Sequence, residues 1–182
     1  MGTCFTAILN HNLDERRISD LPELFNRTWH TVEPLLPLME GYPVPGTPPR
    51  KWRWSEERGF STSTLLSNDT ARIEGYEFDG IVSKHMLRVC HALKWSWFLE
   101  DEAVRSKVDQ VCRHVASVFG ANQIVYLPSG FLKPEGAIGL MYEGKFVEDM
   151  IEWLLKNCGP PAQSLDSFDL EKLETLYFVE RV

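Results

Sequence analysis

Apolar residues recur at helical spacing over one long stretch near the middle of the chain. Between Glu102 and Phe119, the positions Val104, Val108, Val111, Cys112, Val115 and Phe119 keep to one side of a helix turning ~100° per residue. The spacing therefore predicts an amphipathic helix over 102–119. Asp101 and Glu102 suit its positive N-terminal end, and Gly120 suits a left-handed exit. Residues 89–98 (VCHALKWSWF) are β-branched and aromatic and read as a strand before the helix. Residues 124–127, ended by Pro128, read as a strand after it. Together they make a central strand-helix-strand unit over 89–127, the parts of a βαβ motif.

The remaining pattern adds elements on both sides. Residues 3–9 (TCFTAIL) are apolar on both faces of a strand, which predicts an interior place in a sheet. Ser19 or Asp20 can cap a helix with Pro22 in its first turn, Leu21, Leu24, Phe25, Thr28 and Val32 as its stripe, and Pro34 as its stop. Six prolines crowd residues 34–49, which predicts an extended surface loop. Residues 51–54 and 72–78 read as strands, and Asp79-Gly80 as a hairpin turn leading into Ile81-Val82. Residues 137–142 read as another strand. Phe146, Val147, Met150, Ile151, Leu154 and Leu155 form a third helical stripe, which Gly159 and Pro160-Pro161 stop. Residues 175–181 read as a last strand. The sum is one α/β (or α+β) domain, residues 1–182, with a mixed β-sheet packed by about three helices.

Size changes little in that picture. With 182 residues, 43% of them hydrophobic, the chain fits a single core and needs no second one. Charge changes more. The formal net charge is −7, and residues 143–182 hold nine acids against four bases. An acidic exterior repels phosphate backbones, so nucleic acid is a poor partner, and a basic protein is an easier one. No apolar stretch approaches the ~20 residues that span a bilayer, and the N-terminus lacks the pattern of a secretion signal. Cys4, Cys90, Cys112 and Cys158 lie far apart and read as reduced core thiols of a cytoplasmic protein.

Familiar catalytic and cofactor patterns are absent: no glycine-rich phosphate loop, no H-E-x-x-H and no G-x-S-x-G. No catalytic residue, metal ligand or cofactor is therefore assigned. His91 shares a strand face with Val89 and Leu93 and reads as a hydrogen-bonded core histidine. Arg50, Lys51, Trp52, Arg53 and Trp54 form the most basic and aromatic segment, and alternation makes it an ordinary half-buried strand. Glu148, Asp149 and Glu152 fall on the outer face of the third helix, with Trp153 beside them and Asp166 and Asp169 beyond. Such a patch steers a basic partner, and nearby aromatics supply anchors.

The expectation is thus a non-catalytic interaction protein that binds a basic protein through this acidic surface. An immunity protein or other inhibitor of a toxin is a concrete example. The rival expectation is a small cytosolic hydrolase or transferase with a site at the sheet edge, around His11 and the loop 128–136. A homo-oligomer is compatible with either.

Overall fold

The computed structural model describes residues 3–13, 20–28, 53–54, 70–74, 78–130, 132–165 and 170–182. In chain order the elements are β1 (Cys4–Asn10), α1 (Leu21–Thr28), β2 (Arg53–Trp54), β3 (Ala71–Glu74), β4 (Asp79–Val82) and β5 (Met86–Lys94). Then come α2 (Trp95–Glu100), α3 (Glu102–Phe119), β6 (Gln123–Ser129), a 3₁₀ turn (Lys133–Ile138), α4 (Gly139–Tyr142), α5 (Val147–Cys158), a second 3₁₀ turn (Leu170–Lys172) and β7 (Phe178–Arg181). The expected proline-rich loop, 34–49, lies outside the described residues.

The helix α3 forms where the apolar spacing puts it. Asp101 caps it, its carboxylate accepting the Ala103 and Val104 N–H groups at 3.0 and 3.1 Å. Gly120 leaves it at φ 66°, a conformation that favours glycine. Its buried stripe is Val104, Val108, Val111, Cys112, Val115, Ala116 and Phe119.

Among the described residues seven strands join one sheet in the order β2-β3-β4-β5-β1-β6-β7, and each ladder between these strands is antiparallel. The expected parallel pairing within a mixed sheet is corrected here. β5 and β6 do run the same way, but β1 lies between them and bonds to both. The reason is β1's own composition: Phe5, Thr6, Ala7, Ile8 and Leu9 are all buried, so both faces need cover. Setting the two edges aside, β1-α1-β4-β5-α3-β6 in the order β4-β5-β1-β6 is the split βαβ arrangement of ferredoxin-like sheets.

Two cores result, one on each face of the sheet. The first holds Phe5, Ala7 and Leu9 of β1 with Leu21 and the stripes of α2 and α3. The second holds Ile8, Val125 and Leu127 with Ala137, Met141, Met150 and Leu154 from the 3₁₀ turn, α4 and α5.

Three local expectations change. Residues 95–98 are helical, because Trp95, Phe98 and Leu99 bury together at helical spacing, and the Trp95 N–H binds the Thr3 carbonyl at 2.9 Å. Residues 137–142 are 3₁₀ and α-helical, since Ala137, Ile138 and Met141 share one buried side. Asp79-Gly80 is not the turn but the start of β4, facing Glu74 and Ile73. Gly80 is needed there because a Cβ would meet the Ile73 side chain at 2.7 Å. The reversal from β3 to β4 thus falls between Glu74 and Asp79, and a separate tight reversal at Lys84-His85 joins β4 to β5, where the buried Ser83 bonds across it to Met86.

Candidate functional site

The surface carried by α4 and α5 grows from a simple division of labour along the chain. Val147, Met150 and Leu154 anchor α5 to the sheet. Glu148, Asp149, Glu152, Leu155 and Lys156 are left on its exposed side. Asp149 is occupied: its carboxylate accepts the Phe146 N–H at 2.9 Å and closes the helix N-terminus. Gly144, at φ 68°, makes the turn from α4 to α5, between the exposed Tyr142 and Phe146. Tyr142 is 40% exposed, Phe146 54% and Leu155 48%. Phe146 rests on His85, the rings stacked with centroids 4.0 Å apart. Burial, and then the Lys84 charge, lower the His85 pKa from its usual value, which favours the neutral ring in this stack.

Of the residues expected in the site, Glu148, Asp149 and Glu152 share this exposed side. Trp153 does not stand free as an anchor. It is half-buried, and its ring covers Gly136, where a Cβ would lie 2.6 Å away. Asp166 and Asp169 lie outside the described residues. Sequence reasoning named Phe146 and Leu155 only as part of the helical stripe and passed over Tyr142. Tyr142 and Phe146 border the break between α4 and α5, and Leu155 lies on the outer side of α5.

No known protein family, curated protein or solved structure matches the chain.

Strand direction separates the two parts named for the rival site. β1 and β6 are antiparallel, with Cys4 beside Ser129 and Leu9 beside Ile124, so His11 and the loop 128–136 leave opposite ends of the sheet. His11 is also fully engaged. Its Nε2 bonds to the Ser83 carbonyl at 2.7 Å while its Nδ1 accepts the Leu13 N–H at 3.3 Å, which a single neutral tautomer satisfies. Burial outweighs the carbonyl and lowers its pKa. His91 accepts the Leu93 N–H at 2.8 Å beside the Phe78 ring, and burial takes its pKa down to about 4. The thiols of Cys90, Cys112 and Cys158 are pushed up by burial, away from reactive thiolate. Among the described residues no group of three or more His, Cys, Asp or Glu is placed to hold a metal.

A cavity of about 450 Å³ opens between α3, β7 and residues 162–165. On its wall the Tyr126 hydroxyl lies 2.6 Å from Asp109 and 2.9 Å from Glu180, and Arg113 pairs with both carboxylates. Burial pushes the phenol well above its ordinary pKa, so it keeps the one proton it can share. These four groups bind one another across three elements, fastening the last strand to α3. The pairing meets their needs internally.

Proposed function

We propose that this chain is an interaction protein that binds a basic protein partner through the outer face of α4 and α5. One observation carries the reading. Three of the four large apolar side chains exposed among the described residues, Tyr142, Phe146 and Leu155, flank Glu148, Asp149 and Glu152 on that one surface. Scattered exposed apolar groups are ordinary; three around a charged face have the make-up of an interface, with aromatic anchors inside a polar rim. The carboxylates set partner sign and approach rate, and the apolar groups supply the hold.

An acidic inhibitor of a basic toxin in the cytoplasm, of the kind that confers immunity, is the concrete form of this reading. The lack of any helix long and apolar enough to cross a membrane, among the described residues, is compatible with it. The test uses two baits, the native chain and the Glu148→Lys/Glu152→Lys variant, in quantitative capture from cells that make the protein. The proposal expects a basic protein held by the first bait and lost from the second. Equal recovery on both would overturn it.

A further inference from the structure

Arg88 stands beside this surface in an unusual state. It lies on β5, on the sheet face that α4 and α5 partly cover, with Ile8 opposite it on one neighbouring strand and Ile81 on the other. Its guanidinium hydrogen-bonds to neutral hydroxyls: Nη2 donates to Thr6 Oγ1 at 3.3 Å and Nη1 to the Tyr142 hydroxyl at 3.5 Å. Its Nε is buried and has no acceptor among the described residues. The carboxylate on the adjacent strand, Asp79, is committed to Arg72 at 2.7 Å. Thus a half-buried guanidinium, in a chain with surplus acid, has no carboxylate partner among the described residues. Guanidinium groups in such places ordinarily pair bidentately, and a shielded N–H without an acceptor costs stability.

The position of this cation matters as much as its state. Thr6, fully buried, holds the guanidinium from the β1 side, and Tyr142 holds it where the surface begins. Tyr142 and Phe146 are the exposed aromatics of the proposed interface. Arginine and tyrosine side by side at the edge of an apolar surface are the residues that most often dominate binding energy.

We propose that Arg88 is the receptor for a carboxylate that the protein partner inserts beside Tyr142. This rests on the interaction reading above and sharpens it. The partner is basic overall, but it presents one aspartate, glutamate or chain-terminal carboxylate at this point. That carboxylate takes the outward Nη1 end of the guanidinium beside Tyr142, while the partner's cations face Glu148 and Glu152. Affinity comes from the charge-assisted pair, and specificity from the penalty that any partner without the carboxylate incurs by covering an unpaired guanidinium.

The test needs no identified partner. In the native full-length chain, the Arg88 Nε–H resonance is assigned by its loss in Arg88→Lys, with Arg88→Gln as a second variant. Sodium acetate is then titrated against sodium chloride at matched ionic strength. The expected result is a saturable movement of that one resonance with acetate, half-complete at about 10 mM, as the charge-assisted contact at Nη1 repolarises the guanidinium. Chloride should not reproduce it, and the Glu148→Lys/Glu152→Lys variant should retain it. No saturable movement, or an equal movement with chloride, would overturn the assignment. Because the acetate result does not depend on α5, it separates failure of this inference from failure of the interaction reading.

Discussion

Phe146 and His85 stack with their planes 21° from parallel, joining the start of α5 to the reversal between β4 and β5. Phe146 remains exposed, so the stack serves as a platform more than as core. Phe146→Ser should therefore lower unfolding free energy by only about 1 kcal/mol, the worth of one exposed aromatic pair. Partner affinity should fall about tenfold or more, as for an anchor residue. Urea denaturation and a binding titration on the same variant check both halves.

Histidines buried in the uncharged form make the fold acid-sensitive. The His91 pKa is lowered to about 4 against an ordinary 6.5, so the unfolded chain binds the extra proton more readily between those values. Its contribution is fully present above pH 6.5 and is lost as pH falls toward 4; His11, also lowered, acts with the same sign. His91→Gln should flatten the loss of stability between pH 7 and pH 5, as read by urea denaturation at several pH values. An unchanged slope would contradict the burial of this ring.

Trp153 and Gly136 give a direct probe of the second core. Gly136→Ala would place a methyl group 2.6 Å from the indole, so the ring must move off the 3₁₀ turn. The expected cost is about 1–3 kcal/mol, as for other overpacked contacts, with a changed tryptophan emission. Trp153→Phe, which shortens the ring, should restore much of that loss when combined with Gly136→Ala.

How much of this was readable beforehand depends on how local each cause is. The helix α3, its Asp101 cap and its Gly120 exit follow from residues within a few positions of one another. So does the outer face of α5. The interior place of β1 was legible from its two apolar faces, but its partners were not, because strand order depends on register between distant segments. Residues 95–98 misled because tryptophan and phenylalanine suit strands and helices alike. Only the i, i+3, i+4 spacing of Trp95, Phe98 and Leu99 distinguishes the two. Residues 137–142 are too short for period to decide. At the candidate surface, Glu148 and Glu152 were accessible to helical spacing, whereas Trp153 looked free until the 3₁₀ turn was seen beneath it. The condition of Arg88 could not be read at all, since which groups meet its guanidinium is a property of the folded sheet.

The central claim is that the face bearing Glu148 and Glu152 binds a basic protein. Both residues are exposed and Asp149 alone caps the helix, so reversing the two charges should leave folding within about 0.5 kcal/mol of the native chain. The decisive measurement is the dissociation constant of the captured partner at 50 and 500 mM salt, for the native chain and for Glu148→Lys/Glu152→Lys. The account predicts weakening by at least about tenfold with salt for the native chain, and comparable weakening in the variant already at low salt. An affinity indifferent both to salt and to the reversal would contradict it.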